Sequence, residues 1–152
     1  METMIHEAKS AVGRIRASAD ILASKMTRII FVDDDSFYRQ AVEAELTEQG
    51  FSVDSFEDGP PMLASVAAGL TADIILLDWG LASTPGIEVL SELRKRGVDW
   101  PVVFLTGRNS PVYESLALKR GATDFVEKSR GTNVLAARLR LAASHHEDTA
   151  PP

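Results

Sequence analysis

Three runs of four consecutive large apolar residues stand out: Ile29-Ile30-Phe31-Val32, Ile74-Ile75-Leu76-Leu77 and Val102-Val103-Phe104-Leu105. Successive side chains of a strand point to opposite faces, so a strand that is apolar at every position has to be covered on both. Such runs cannot be half-exposed strands and suit a parallel sheet enclosed by helices. Two shorter runs, Phe51-Ser52-Val53 and Phe125-Val126, extend the series to five.

Helical patterns fill the intervals. Tyr38, Val42 and Leu46 recur at i, i+4 and i+8 with Phe37 and Ala41 beside them, and Gly50 follows as a stop. The Ala-rich stretch 58–68 carries Pro60 and Pro61, which belong in the first turn of a helix. Ile87, Val89, Leu90 and Leu93 mark a third helix ended by Gly97, and residues 111–120 a fourth ended by Gly121. Leu135, Leu139 and Ala142 mark a fifth, with Thr132 or Asn133 as its cap. Alternating β and α elements imply right-handed crossovers and a parallel sheet. The expected fold is therefore α/β, a (βα)5 doubly wound sheet. Five strands suit the flavodoxin-like order 2-1-3-4-5.

The chain of 152 residues is long enough to bury a core without staples. It has no cysteine, which excludes disulfides, thiolate metal sites and a Cys nucleophile. A net charge of −6 argues against a general nucleic-acid footprint. No apolar run has membrane-spanning length and residues 1–26 do not read as a signal peptide, so a soluble, cytoplasmic protein is expected.

In a doubly wound sheet, chemistry sits beyond the carboxyl ends of the strands. There the chain places Asp33-Asp34-Asp35, Asp78, Thr106-Gly107 and Lys128. Taken singly, Asp35 or Ser36 suits a helix cap, Thr106 a turn hydroxyl and Lys128 a solvated cation. At four equivalent points of one sheet edge they read together as a site. Two carboxylates about 4 Å apart repel by roughly 1 to 4 kcal/mol. The cluster therefore calls for a hard divalent cation, and Mg²⁺ suits it because it shares its coordination sphere between carboxylates, water and phosphate oxygens. The ammonium and hydroxyl complement a transferring phosphoryl group, with one Asp as nucleophile.

Over about residues 27–146 the sequence resembles the receiver domain of two-component response regulators. The resemblance is carried by Val32-Asp33-Asp34-Asp35, Ile74-Ile75-Leu76-Leu77-Asp78, the stretch from Pro101 to Gly107, and the stretch from Gly121 to Lys128. It implies that Asp78 is the phosphoacceptor, served by a sensor histidine kinase or a histidine phosphotransfer protein. Asp34 would ligate Mg²⁺ directly and Asp33 directly or through water, with the Gly80 carbonyl as a further ligand. Lys128 would contact the phosphoryl group, Thr106 would hydrogen-bond it, and the Gly107 N–H adds a contact. Phe125 stands either as the switch aromatic that turns inward with Thr106 or as an edge-strand core residue. Such a domain catalyses only its own phosphorylation and dephosphorylation and is not otherwise an enzyme. Switching would re-shape the face built by the fourth helix, fifth strand and fifth helix, where Asp124, Arg138 and Arg140 are expected.

The chain departs from that pattern at Ala82 and Pro85, which imply a differently shaped loop after Asp78, with Pro85 opening the third helix. Gly80 and Arg108 flank the site. Ser129 follows Lys128 where the family has a cis proline. A non-proline cis bond costs about 2.5 to 4 kcal/mol. Either this bond is trans and Lys128 shifts, or the site holds strain.

Residues 1–26 form an extension to the receiver. Ile5, Ala8, Val12, Ile15, Ala19, Leu22 and Met26 follow the a/d spacing of a coiled coil, so residues 5–26 are expected either to form a helix that dimerises or docks a partner, or to pack on their own receiver or fray as an upstream extension. Homodimerisation through the switching face is the other option. Residues 147–152 read as a flexible tail, and His6, His145 and His146 fall outside the chemistry. No space remains for a DNA-binding module, so direct nucleic-acid binding is not expected, and the chain reads as a stand-alone receiver or the N-terminal part of a transcription regulator. Two alternatives compete: a haloacid dehalogenase-like phosphohydrolase using Asp33 and Asp35, and an unphosphorylated adaptor acting through the N-terminal helix.

Overall fold

A computed structural model of the chain describes residues 26–108 and 110–149. The extension assigned to residues 1–26 lies outside them except for Met26. Five parallel strands, β1 (Arg28–Val32), β2 (Ser52–Phe56), β3 (Ile74–Asp78), β4 (Val102–Thr106) and β5 (Asp124–Glu127), lie in the order β2-β1-β3-β4-β5. They alternate with α1 (Ser36–Glu48), α2 (Gly59–Ala67), α3 (Gly86–Lys95), α4 (Pro111–Lys119) and α5 (Thr132–Thr149). This is the flavodoxin-like arrangement expected from the sequence.

The three apolar runs are the three central strands, buried at every position. Ile30, Val32, Ile75, Leu77, Val102, Phe104 and Phe125 form one layer with Met62 of α2, Val89, Leu90 and Leu93 of α3, and Ala117 of α4. The alternate residues Ile29, Phe31, Ile74, Leu76, Val103, Leu105 and Val126 form the other with Val42 and Leu46 of α1, and Leu135 and Leu139 of α5. A period of two splits each strand between two cores. Strand β2 lies at an edge, half-buried throughout and running to Phe56, beyond the Phe51–Val53 run that signalled it.

Helix starts follow their side chains. The Asp35 carboxylate accepts from the Tyr38 N–H at the head of α1, and Ser110 accepts from the Tyr113 N–H at the head of α4. At the helix ends, Gly50 and Gly121 adopt φ of +93° and +100°, a conformation that L side chains rarely take.

Four expectations need correction. Phe37 is 87% exposed and Ala41 is exposed, because they lie one residue off the stripe of half-buried Tyr38 and buried Val42 and Leu46. Helix α5 already includes Thr132, and the Gly131 carbonyl accepts from the Leu135 N–H, so neither Thr132 nor Asn133 is the cap. The same helix runs to Thr149, making residues 147–149 helical and not tail. The chain has no Gly or Pro between Gly131 and Pro151 to stop it. Finally, Arg140 points away from β5: it donates to the Gln49 carbonyl at 2.7 Å and covers the Phe51 ring at 4.6 Å. Arg138 instead pairs with Asp124 at 3.1 Å. Residues two apart on a helix face different directions.

Candidate functional site

Among the described residues, the buried polar or charged side chains are Asp33, Asp78 and Thr106. All three stand at the carboxyl edge of the sheet, Asp33 just past β1, Asp78 closing β3 and Thr106 closing β4. Strand pairing sets Asp78 opposite Leu105 and Thr106 opposite Glu127, so Lys128 follows directly on the neighbouring strand.

Asp33, Asp34 and Asp78 each offer one oxygen, and these oxygens lie within 4.8 Å of one another. Asp33 Oδ1 accepts from the Asp35 N–H at 2.9 Å. Its Oδ2 is buried and receives no directed hydrogen bond, but the Lys128 ammonium lies 2.8 Å away and compensates its charge. Lys128 Nζ is also 3.6 Å from Asp78 Oδ1 and 4.3 Å from the centre of the Tyr38 ring. Asp34 is exposed, and its carboxylate accepts from the Ala82 N–H at 3.1 Å, tying down the loop after β3. The Arg39 guanidinium donates to the Asp33 carbonyl at 2.5 Å.

The charges act on one another. Burial, then the Asp33 carboxylate, push the Asp78 carboxyl up to about 6, while Lys128 and the Gly80 N–H pull it partly back. Burial works against the Lys128 ammonium, but its close pairing with the Asp33 carboxylate and the charges of Asp78 and Asp33 outweigh it and hold that group above its ordinary value. Burial and the same two carboxylates push the Tyr38 phenol up to about 12. A site that raises a carboxyl and an ammonium together has an excess of negative charge.

The donor set fits a hard divalent cation: oxygen ligands only, surplus negative charge, and a buried carboxylate oxygen without a directed hydrogen bond. The Lys128–Ser129 bond is trans, and Lys128 still reaches both carboxylates. Gly107 is exposed, and a Cβ added there would meet nothing within 4 Å, so the approach past Thr106 is open. The Thr106 hydroxyl donates to the Arg108 carbonyl at 2.9 Å and accepts from the Arg108 N–H at 3.2 Å, the satisfied turn its sequence position also allowed. Phe125 is buried, 5.5 Å from the Trp79 ring centre and 6.5 Å from that of Phe104. Asp35 stands outside the carboxylate cluster and caps α1, which removes the partner that a phosphohydrolase built on Asp33 and Asp35 requires.

Two contributors were not anticipated. Tyr38 reads in the sequence as one more apolar helix position, and nothing there signals that its ring meets an ammonium ninety positions later. Trp79 follows the acceptor strand and packs on Phe104 at 5.1 Å and Tyr113 at 5.4 Å; no spacing signal marked it.

The sequence profile of the family described as "Response regulator receiver domain" matches residues 29–140. The chain belongs to this family. Receiver domains are signalling modules of two-component systems, and they interact with histidine kinases or phosphotransfer proteins. Among similar curated proteins, the transcriptional regulatory protein DltR of Streptococcus agalactiae is 34% identical over 114 residues, which are 75% of this chain and 50% of that protein. The response regulator MprA of Mycobacterium bovis is 34% identical over 125 residues, 81% of this chain and 54% of that protein. The receiver thus spans about half the length of the curated relatives it matches. The BeF3-activated N-terminal receiver domain of RstA from Klebsiella pneumoniae superposes with a TM-score of 0.70 at 31% identity, covering 77% of this chain and 98% of that one. Among the described residues of this receiver, no helix is long and apolar enough to cross a membrane.

Proposed function

We propose that this receiver works in the cytoplasm and takes a phosphoryl group onto Asp78 from the phosphohistidine of a sensor histidine kinase or histidine phosphotransfer protein. The observation that carries the reading is the burial of Asp33, Asp78 and Thr106 at one sheet edge beside the Lys128 ammonium. A carboxylate oxygen of Asp78 forms the new bond to phosphorus as the donor's N–P bond breaks. The electron pair returns to the imidazole nitrogen, which takes a proton from solvent, and an acyl phosphate remains on Asp78. Asp33, Asp34 and Asp78, with the Gly80 carbonyl, would hold Mg²⁺, which when bound neutralises charge on the phosphoryl oxygens. Lys128 lies where it can pair with an oxygen of the transferred group, and the Gly107 N–H can add a hydrogen bond.

Thr106 supplies the switch. Its hydroxyl is held by the Arg108 backbone, and engaging the phosphoryl group requires it to exchange that partner. The exchange releases the Arg108 backbone just ahead of α4, whose Tyr113 packs on Trp79, which in turn packs on Phe125. The α4-β5-α5 surface, with exposed Val112, Tyr113 and Leu118, then offers a changed face to an output partner or a second copy.

Incubation with acetyl phosphate and Mg²⁺ tests the reading directly. Intact mass should rise by about 80 Da, one phosphoryl unit, and Asp78→Asn should not gain it. An adduct retained in Asp78→Asn but lost in Asp33→Asn would move the acceptor to Asp33. Mg²⁺ alone should raise the melting temperature by binding the native state, worth about 2.7 kcal/mol at a hundredfold excess over Kd. Asp34→Asn, at an exposed position, should blunt that rise without unfolding the protein. No shift at millimolar Mg²⁺ would contradict a cation site.

A further inference from the structure

Lys128 carries a long side chain from a short 3-10 turn, Lys128–Arg130, whose preceding residue Glu127 gives no side-chain cap. The next residue is Ser129, so no proline ring stiffens the turn. The ammonium is nevertheless fixed from two sides. Asp33 holds it at 2.8 Å, and the Tyr38 ring lies against it with its centre 4.3 Å from Nζ, within the range of cation–π attraction. The ring is itself seated. It meets Phe31 of β1 edge-on at 6.5 Å and 74°, and the Tyr38 N–H is bonded to the Asp35 carboxylate at 3.1 Å in the first turn of α1.

The two restraints differ in kind. Asp33 belongs to the clustered carboxylates, so its hold on Lys128 is shared with whatever else those oxygens bind. The ring competes with nothing in the cluster. It meets the ammonium from α1, while Lys128 Nζ stands 2.8 Å from Asp33 and 3.6 Å from Asp78.

We infer that Tyr38 is a positioning residue, whose ring face holds the Lys128 ammonium over the acidic pocket for engagement of the phosphoryl group. This rests on the reading of Asp78 as the phosphoacceptor. The ring acts and the hydroxyl does not, so phenylalanine should replace tyrosine and an aliphatic side chain should not.

The test uses the full chain with Tyr38→Phe, Tyr38→Leu and, as a reference, Lys128→Ala. Two quantities are measured: the rate of mass gain with saturating acetyl phosphate and Mg²⁺, and the NMR shift of the Lys128 ε-methylene protons. A ring face over the ammonium moves those protons upfield. Tyr38→Phe should keep the shift and phosphorylate within about twofold of the wild type. Tyr38→Leu should lose the shift and slow about 3- to 30-fold, the range that one cation–π contact supports. A leucine variant with wild-type rate would overturn the assignment, as would a phenylalanine variant as slow as leucine, which would place the effect in the hydroxyl. Should the wild type take up no phosphoryl group, the acceptor reading fails by itself. The positioning role is then decided by the Lys128 shift, and an unshifted resonance in the wild type ends it.

Discussion

Metal-free Asp78→Asn is expected to be more stable than the wild type at pH 7.5, by about 1 to 3 kcal/mol. Burial and the Asp33 charge raise the Asp78 carboxyl from 3.8 to about 6 in the folded protein. The native state therefore binds this proton more tightly than the unfolded chain. Below pH 4 both states hold it and the group contributes nothing. As pH rises from about 4 to 6 the unfolded chain releases it first, and folding stability falls by the corresponding amount. Above 6 the folded protein carries the full cost of a buried anion beside Asp33. Asparagine keeps the shape and removes the charge, while Lys128 retains Asp33. Urea denaturation in EDTA from pH 4 to 8 checks this. The gain must grow through that window and disappear at its acid end. A gap that persists at pH 4, or a wild type more stable at pH 7.5, would refute the electrostatic origin. The acceptor residue is thus predicted to oppose folding until a cation arrives, which is the cost expected of a site built for binding.

Gly86→Ala should lose about 2 to 3 kcal/mol although alanine is the better helix former. Gly86 begins α3 and is buried against the acceptor strand. A Cβ there would lie 2.6 Å from the Asp78 carbonyl oxygen and 2.9 Å from Phe104 Cε1. One neighbour is backbone of β3 and the other a core ring, so neither can give way without moving the strand that carries Asp78. Gly59 makes the informative contrast. A Cβ there meets a Val89 methyl at 2.7 Å, the end of a side chain. Gly59→Ala should cost no more than about 1 kcal/mol, since such a methyl can be displaced. Urea midpoints of the two variants separate the cases, and equal costs would mean that α3 simply slides outward. Because the clash is with the Asp78 main chain, Gly86→Ala should also slow phosphorylation at temperatures where the variant is folded.

The central strands were legible because burial on both faces forces an uninterrupted apolar run, which few other structures tolerate. The edge strand β2 was only half legible, since Asp54 and Ser55 lie within it and an edge faces water. Helix stops at glycine were plain, whereas the end of α5 was not: polarity at His145–Asp148 suggested a tail, but polar residues do not break a helix. Arg138 and Arg140 look equivalent in composition, but the helical period separates them, so that Arg138 reaches Asp124 and Arg140 the Gln49 carbonyl.

The sequence by itself determined the sheet, its order of elements and the gathering of Asp33, Asp34, Asp78, Thr106 and Lys128 at one edge. Each of those follows from local periodicity and from a topology that brings every strand end to the same side. Only the tertiary structure decided how these groups stand to one another. It directs Asp35 to the helix cap and not to the cluster, ties Thr106 to the Arg108 backbone, turns Phe125 inward beneath Trp79, and lays Tyr38 against Lys128. Such contacts join residues remote in sequence at distances of a few ångströms. Hydrophobic patterning states which face a residue takes, but not which neighbour from another element meets it there.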